Sequence, residues 1–351
     1  MADGSPASQA AAPAAAGSEP KRRLPRPAFD PLQLLLRYGL LALIVGVIVY
    51  FAASEPAFRT VDNAFSILQS VAIIGVIALG VTFSLVVGGF DLSVGANAGL
   101  AVMFSSIALV IFDVATPVAV LVALLAGGLV GLANGMMIVK FGIPDLLATL
   151  GMMFLLQGLQ LLPTAGQTVS TGMTWYGKVR DGVFRQSFLD IGRKQFGPVP
   201  LPVLIFLGLA LLTWIFLEKT RWGRVMYAIG GNAEAARLAG LRVERYRIVA
   251  YLISGVFASI GGVMLAARIG AGDVGAGNPF LLDAVATALI GFAVLAVNKP
   301  NPFGTTVGAI FLGVMLNGLT IKNFPYYTQD FVKGAVLMLA LFLSFAFARR
   351  R

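Results

Sequence analysis

Long apolar stretches, separated by short polar or glycine-rich breaks, fill the chain from Leu34 almost to its end. A membrane-crossing helix needs roughly 20 predominantly apolar residues. Runs of that kind lie at 34–53, 64–88, 94–112, 115–139, 143–162, 198–217, 248–269, 280–297, 303–321 and 331–348. They predict an all-α polytopic membrane protein with about ten transmembrane helices. Glycine and proline interrupt the pattern near 88–95 and 139–145, so boundaries there are the least defined. Within the fourth run, Gly127, Gly131 and Gly135 repeat every four residues. Small residues on one helix face let backbones approach closely in lipid, so these read as packing positions.

Composition agrees with this pattern. Hydrophobic residues make up 58% of the chain, charged residues 12%, and the mean hydropathy is +0.87. A soluble domain carries about a quarter charged residues. Most of this surface must therefore face lipid. Cysteine and histidine are both absent, and the acids are scattered. A membrane-bound enzyme needs such groups clustered at one face, so the chain is not expected to be an enzyme or to hold a metal.

The formal charge of +10 sits beside the apolar runs, which points to topology and not to nucleic acid. Residues 1–30, rich in Ala, Pro and Ser and then basic in "KRRLPRP", are expected to form a disordered cytoplasmic tail. A signal peptide fits less well, because the leader is long and the run exceeds the 7–15 residues of a signal core. Ten spans then return the C-terminal "ARRR" to the cytoplasm, and 218–247 falls on the same side with seven Lys and Arg against three Glu. The segment 163–197 runs against the rule. It falls outside yet carries Lys178, Arg180, Arg185, Arg193 and Lys194, offset in part by Asp181 and Asp190.

The segment 230–247, "GGNAEAARLAGLRVERYR", reads as a small capped helix over 233–239. Asn232 is a good N-cap, Glu234 and Arg237 complement the helix dipole, and Gly240 suits the C′ position. Two turns are too short to persist alone in water. The small, weakly apolar "AEAARLA" suits a groove in another protein; an incidental helix in a connecting loop fits the composition equally well.

The stretch "GRVMYAIGGNAEAARLAGLRVERYRIVAYLISGVFASIGGVMLAAR" resembles the cytoplasmic coupling loop and following helix of permease subunits in bacterial ABC importers, of the ribose-type sugar permease family. "GGFDLSVGANAGL" at 88–100, "GLANGMMIVKFGIPDLLATLGMM" at 131–153, "FLLDAVATALIGF" at 280–292 and "FGTTVGAIFLGVMLNGL" at 303–319 resemble further family segments, in family order. The turn "GFAVLAVNKPNPFG" at 291–304 departs from the Gly-rich pattern expected there, being stiffer and more basic at Lys299.

The resemblance implies that residues 31–351 form a permease domain of the bacterial inner membrane, multi-pass, with both termini cytoplasmic. It implies that 218–247 docks a separate ATPase subunit through Gly231, Asn232, Glu234, Ala235, Ala236, Arg237, Leu238 and Gly240. The chain lacks a G-x-x-x-x-G-K-[ST] phosphate loop, so ATP and Mg would bind the ATPase subunit and no cofactor this chain. The other implied partners are a periplasmic solute-binding protein, received by 163–197 and 268–280, and a second permease copy forming a homodimer. No nucleic acid is implied.

Polar residues at membrane depth give the candidate translocation path: Gly89, Phe90, Asp91, Ser93, Gly95, Asn97, Asn134 and Asn317. An acid there is costly and functional by default, yet Asp91 also fits a plain cap for a helix starting near Ser93. Asp283 reads as a cap at the outer mouth. The amides, with no ring of charge, suit a neutral polyhydroxyl solute better than an ion. The alternatives are a secondary transporter or channel for small polar solutes, disfavoured by the lack of visible repeats and of buried charge pairs, and an ABC permease for nucleosides or branched-chain amino acids.

Overall fold

In lipid every backbone polar group must be satisfied within the chain, so the apolar runs have to become helices. The computed structural model describes residues 31–293 and 299–348. The expected tail (1–30), residues 294–298 of the atypical turn, and the last three residues lie outside the described residues.

Thirteen α-helices are present among the described residues. They are α1 (Pro31–Ser54), α2 (Val61–Val86), α3 (Val94–Val110), α4 (Thr116–Lys140), α5 (Asp145–Leu161), α6 (Gln186–Arg193), α7 (Leu201–Trp214), α8 (Arg221–Gly231), α9 (Ala233–Leu238), α10 (Val243–Ile269), α11 (Asn278–Ala293), α12 (Pro302–Ile321) and α13 (Tyr326–Ala348). Each predicted run falls on one of them. Six helical segments, built on α2, α4, α5, α7, α10 and α12, are long and apolar enough to cross a membrane by length and composition; α3 and α11 are shorter apolar helices.

The runs locate helices better than they locate helix ends. α10 starts at Val243 and α13 at Tyr326, each five residues before the run, because polar turns such as Glu244–Arg247 extend an apolar helix without breaking it. α7 ends in a π-type turn, Ile215–Lys219. The segment 163–197 is ordered: β1 (Thr174–Trp175) pairs with β2 (Lys178–Val179), β3 (Gln195–Phe196) pairs with β4 (Val199–Pro200), and α6 lies between the hairpins. Tyr176 and Gly177 both take positive φ, the twist that a two-residue hairpin requires.

α10 is the central helix and packs most extensively on α4, α2 and α3. The α4 glycines allow this. A Cβ at Gly131 would collide with the backbone of Tyr251, and one at Gly135 would lie 2.9 Å from the Ile248 Cα. At Gly127 it would meet Ser259 and the Gly255 carbonyl. Successive α4 positions thus meet successively earlier α10 residues, an antiparallel crossing at near-backbone distance.

The connections gather at two ends. At one, Gly230 of α8 abuts Val86 and Gly88, and the α4–α5 turn shares a cavity with α9 and the start of α10. At the other, Val169 bridges Gly272 and Lys322 pairs with Glu55 at 3.7 Å. Asp283 does not cap a helix. α11 begins at Asn278, which puts Asp283 in its second turn, paired with Lys333 of α13 at 2.9 Å. The partner is 50 residues downstream, beyond the reach of a local reading.

Two outcomes follow from the packing. Gly131→Ala should cost about 1–3 kcal/mol through overpacking. Gly151→Ala on α5, where nothing lies within 4 Å, should be neutral or slightly stabilising. Thermal stability of the detergent-purified protein, followed by gel filtration, separates the two; equal melting points would refute the crossing. Lys333→Met, which strands the Asp283 carboxylate, should lower the melting point more than the double change Asp283→Leu/Lys333→Met does. A double variant less stable than Lys333→Met would contradict this.

Candidate functional site

α2 ends where Gly88 turns left-handed, at φ +74°. Its last carbonyls are closed by Gly88 N–H on Leu85 O and Gly89 N–H on Ser84 O, a Schellman ending. The chain then crosses an irregular stretch before α3. Such a stretch persists at membrane depth only when protein covers it.

The cover is polar. Asp91 Oδ1 accepts from Ser93 N–H at 3.0 Å and from Ser93 Oγ at 2.7 Å, and Oδ2 accepts from Ser254 Oγ at 2.8 Å. The Tyr251 hydroxyl lies 3.2 Å from Phe90 N, and Thr149 Oγ1 3.4 Å from Phe90 O. Asn134 Nδ2 donates to Ser93 Oγ at 2.8 Å. Helices α4, α5 and α10 therefore all hold the break between α2 and α3. Asp91 is 1% exposed, and among the described residues it has hydroxyl and amide donors but no cation. It closes a turn onto Ser93 just before α3, while Ser93, at the N-cap position, spends its side chain on Asp91 and Asn134.

The structure brings six of the eight predicted path residues into or beside this junction: Gly89, Phe90, Asp91, Ser93, Asn97 and Asn134. A Cβ at Gly89 would collide with the Tyr251 hydroxyl. Asn97 Nδ2 donates to the carbonyls of Gly127 and Gly255, stitching α3 to the α4–α10 crossing. Gly95 faces elsewhere, onto Gly277 and Leu281. Asn317 stands apart. It donates to Asn63 at 3.0 Å, at the start of α2, whereas Asp91 bonds Ser254, which packs against Gly80, about 26 Å further along α2 by helix rise. Ser254, Tyr251 and Thr149 were not singled out by the sequence reading. A lone hydroxyl in an apolar run was their only signal.

α8 leads from this junction to the predicted coupling helix. Thr220 caps α8 by accepting from Gly223 N–H at 3.2 Å. Asn232 ends α8 and starts α9, its Oδ1 accepting from Ala235 N–H at 2.9 Å. α9 closes with a second Schellman ending: Gly240, at φ +82°, bonds to Arg237 O and Leu241 N–H to Ala236 O. The helix covers 233–238, one residue shorter than read from the sequence. Ala236 is buried in an apolar cluster with Phe83, Val86, Met226, Ile229 and Val243. Leu238 is 86% exposed. Glu234, Ala235 and Gly231 are also exposed. Arg237 is held by Glu244 at 2.7 Å.

A cavity of about 340 Å³ opens beside α9, with Asp145, Arg237, Glu244 and Arg247 on its walls. On the other flank of α8, the Tyr227 hydroxyl reaches Glu218 Oε1 at 3.1 Å and Pro300 O at 2.9 Å. Burial, with Glu218 beside it, pushes the Tyr227 phenol up, so it stays a donor.

At the far end, the charges of 163–197 have local partners. Arg185 pairs with Asp113 at 2.9 Å, and Lys194 with Asp190 at 3.9 Å. Arg193 donates to the carbonyls of Arg268 and Ile269, closing the C-terminus of α10. Arg180 lies over the Trp175 ring.

The model of the family described as branched-chain amino acid transport system, permease component, matches residues 63–341. The chain is 34% identical to the ribose import permease protein RbsC of Escherichia coli K12, over 90% of this chain and 95% of that one. It is 33% identical to RbsC of Bacillus subtilis, over 87% and 90%. It is 31% identical to the xylose transport system permease protein XylH of E. coli K12, over 89% and 92%. No solved structure matches. With the family model covering both the α2–α3 junction and the α8–α9 elbow, the chain belongs to this family of ABC-importer permease components.

Proposed function

We propose that this chain forms the translocation path of an ATP-driven sugar importer, with a pentose or a related neutral sugar as cargo. The named cargoes of its relatives, ribose and xylose, support that class. The end that carries α8 and α9 faces the cytoplasm together with both termini. A separate ATPase subunit, holding ATP and Mg, docks there. A periplasmic binding protein delivers the sugar to the end formed by 163–197 and 268–280. Two copies of the chain complete the path.

One observation carries this reading. α9 is capped at both ends, anchored through the buried Ala236, and presents Leu238 almost fully to solvent. A water-facing leucine on a helix too short to stand alone is a docking element and a poor solvent surface. The anchoring matters as much as the exposure. Movement imposed on Leu238 passes through Ala236 to Phe83 and Val86 of α2. Through Gly230 it passes to the Gly88 turn.

The test is co-purification of the ATPase subunit from native membranes in mild detergent. Leu238→Asp removes an apolar contact of about 1.5–3 kcal/mol. It should weaken capture of the ATPase roughly tenfold to hundredfold. Ala236→Pro deletes the Ala236 N–H bond to Asn232 O and should abolish capture while the chain still reaches the membrane. If wild type captures no ATPase, the importer reading fails. Asp91→Asn, whose amide can face a turned Ser254 hydroxyl, should leave ATPase capture intact and lower sugar uptake. Normal uptake would reduce Asp91 to a cap.

A further inference from the structure

Lys299 lies in the turn where this sequence departs from the resemblance, and the structure gives its ammonium two contacts. Its Nζ is 3.2 Å from Glu218 Oε1 and 4.4 Å from the centre of the Tyr227 ring. Tyr227 in turn reaches both Glu218 and the carbonyl of Pro300. One carboxylate, one phenol and one ammonium thus close on each other across three elements: the π-type turn ending α7, the middle of α8, and the α11–α12 turn.

An isolated, half-exposed ion pair contributes little. This one differs because both of its supports are stiff. On one side, Pro300 and Pro302 fix φ on either side of Asn301, where the turn enters α12. Asn301 caps α12 by accepting from Gly304 N–H at 2.6 Å, and Thr305 bonds Thr82 of α2 at 2.8 Å. On the other side, α8 is wedged by Gly223 against Leu217 and by Gly230 against Val86, each so close that no Cβ fits. A displacement of α8 has no slack to dissipate in before it reaches the turn.

We propose that Glu218, Tyr227 and Lys299 are positioning residues that latch the α8–α9 elbow to the α11–α12 turn, so that the two move as one body when the ATPase subunit drives α9. The latch rests on the importer reading above. It adds a second route from α9 into the membrane, through α12, beside the route through α2. It stays closed throughout the cycle.

The experiment uses proteoliposomes holding the permease with its ATPase subunit, the binding protein added, and ribose and xylose as probes. Phosphate release and sugar uptake are measured together. Lys299→Met and Glu218→Gln should each retain the ATPase subunit and raise phosphate released per sugar imported by about threefold to thirtyfold. The double variant should match the singles, and Lys299→Arg should restore the ratio. Because the chain has no cysteine, Glu218→Cys/Lys299→Cys can be bridged by a short bis-methanethiosulfonate spacer without background. The bridged protein should keep its uptake. An unchanged ratio in the single variants, additive effects in the double, or arrest by the spacer would overturn the latch. If wild-type vesicles neither import sugar nor hydrolyse ATP in response to the binding protein, the importer reading falls first and the latch falls with it.

Discussion

A break in a helix at membrane depth leaves backbone groups that water cannot reach, and everything at the cytoplasmic-facing end in the proposed reading is arranged around one such break. Between Val86 and Val94 the chain is neither α2 nor α3. Of its backbone groups, Ser93 N–H is taken up by Asp91, Phe90 N–H by Tyr251 and Phe90 C=O by Thr149. An unmet buried group costs about 1–3 kcal/mol. Separating any one of these partners from the break therefore carries a penalty near that size. The partners belong to different helices, so the break responds to the relative position of α4, α5 and α10 and not to local sequence alone.

The elbow is joined to this break by shape more than by bonds. Gly230 fits against Val86 and Gly88 only because it has no side chain. α9 has too few turns for intrinsic stability; its place is set by Ala236 entering the same apolar cluster that holds Phe83 and Val86. The exposed face of α9 and the last turn of α2 are therefore two sides of one packed unit. Close packing transmits displacement because interiors are dense and yield little. Rigid contact of this kind suits a part that is pushed by another protein.

Much of this was legible from residue order. Apolar length located the helices, since lipid forces one solution on such runs. The four-residue glycine repeat on α4 marked a close helix contact, and the structure shows its partner to be α10. Asn232, Glu234, Arg237 and Gly240 marked α9, because caps are local chemistry. What stayed hidden was chemistry between distant residues. Asp283 looked like a cap because its neighbours in sequence are apolar; Lys333 on another helix explains it. For the basic residues of 163–197, Asp113 and the carbonyls of Arg268 and Ile269 receive two, partners too distant in sequence to read locally. α8 was missed because its mixed composition gives neither an apolar run nor a clean cap at both ends.

The polar residues in the interior bear on where a sugar passes. Asp91, Ser93, Asn97 and Asn134 are all buried within one copy of the chain, and their donors are committed to one another or to helix carbonyls. A sugar exchanging its hydration shell needs several donors and acceptors at once. The uncommitted atoms of these four side chains, Asn97 Oδ1 and Asn134 Oδ1, are acceptors only. In this conformation the junction is thus a strut. In the proposed importer, where two copies complete the path, that favours a route along the surface between them, with the Asp91 junction as part of its support. In that reading the acid holds the helices around it and does not need to touch the cargo.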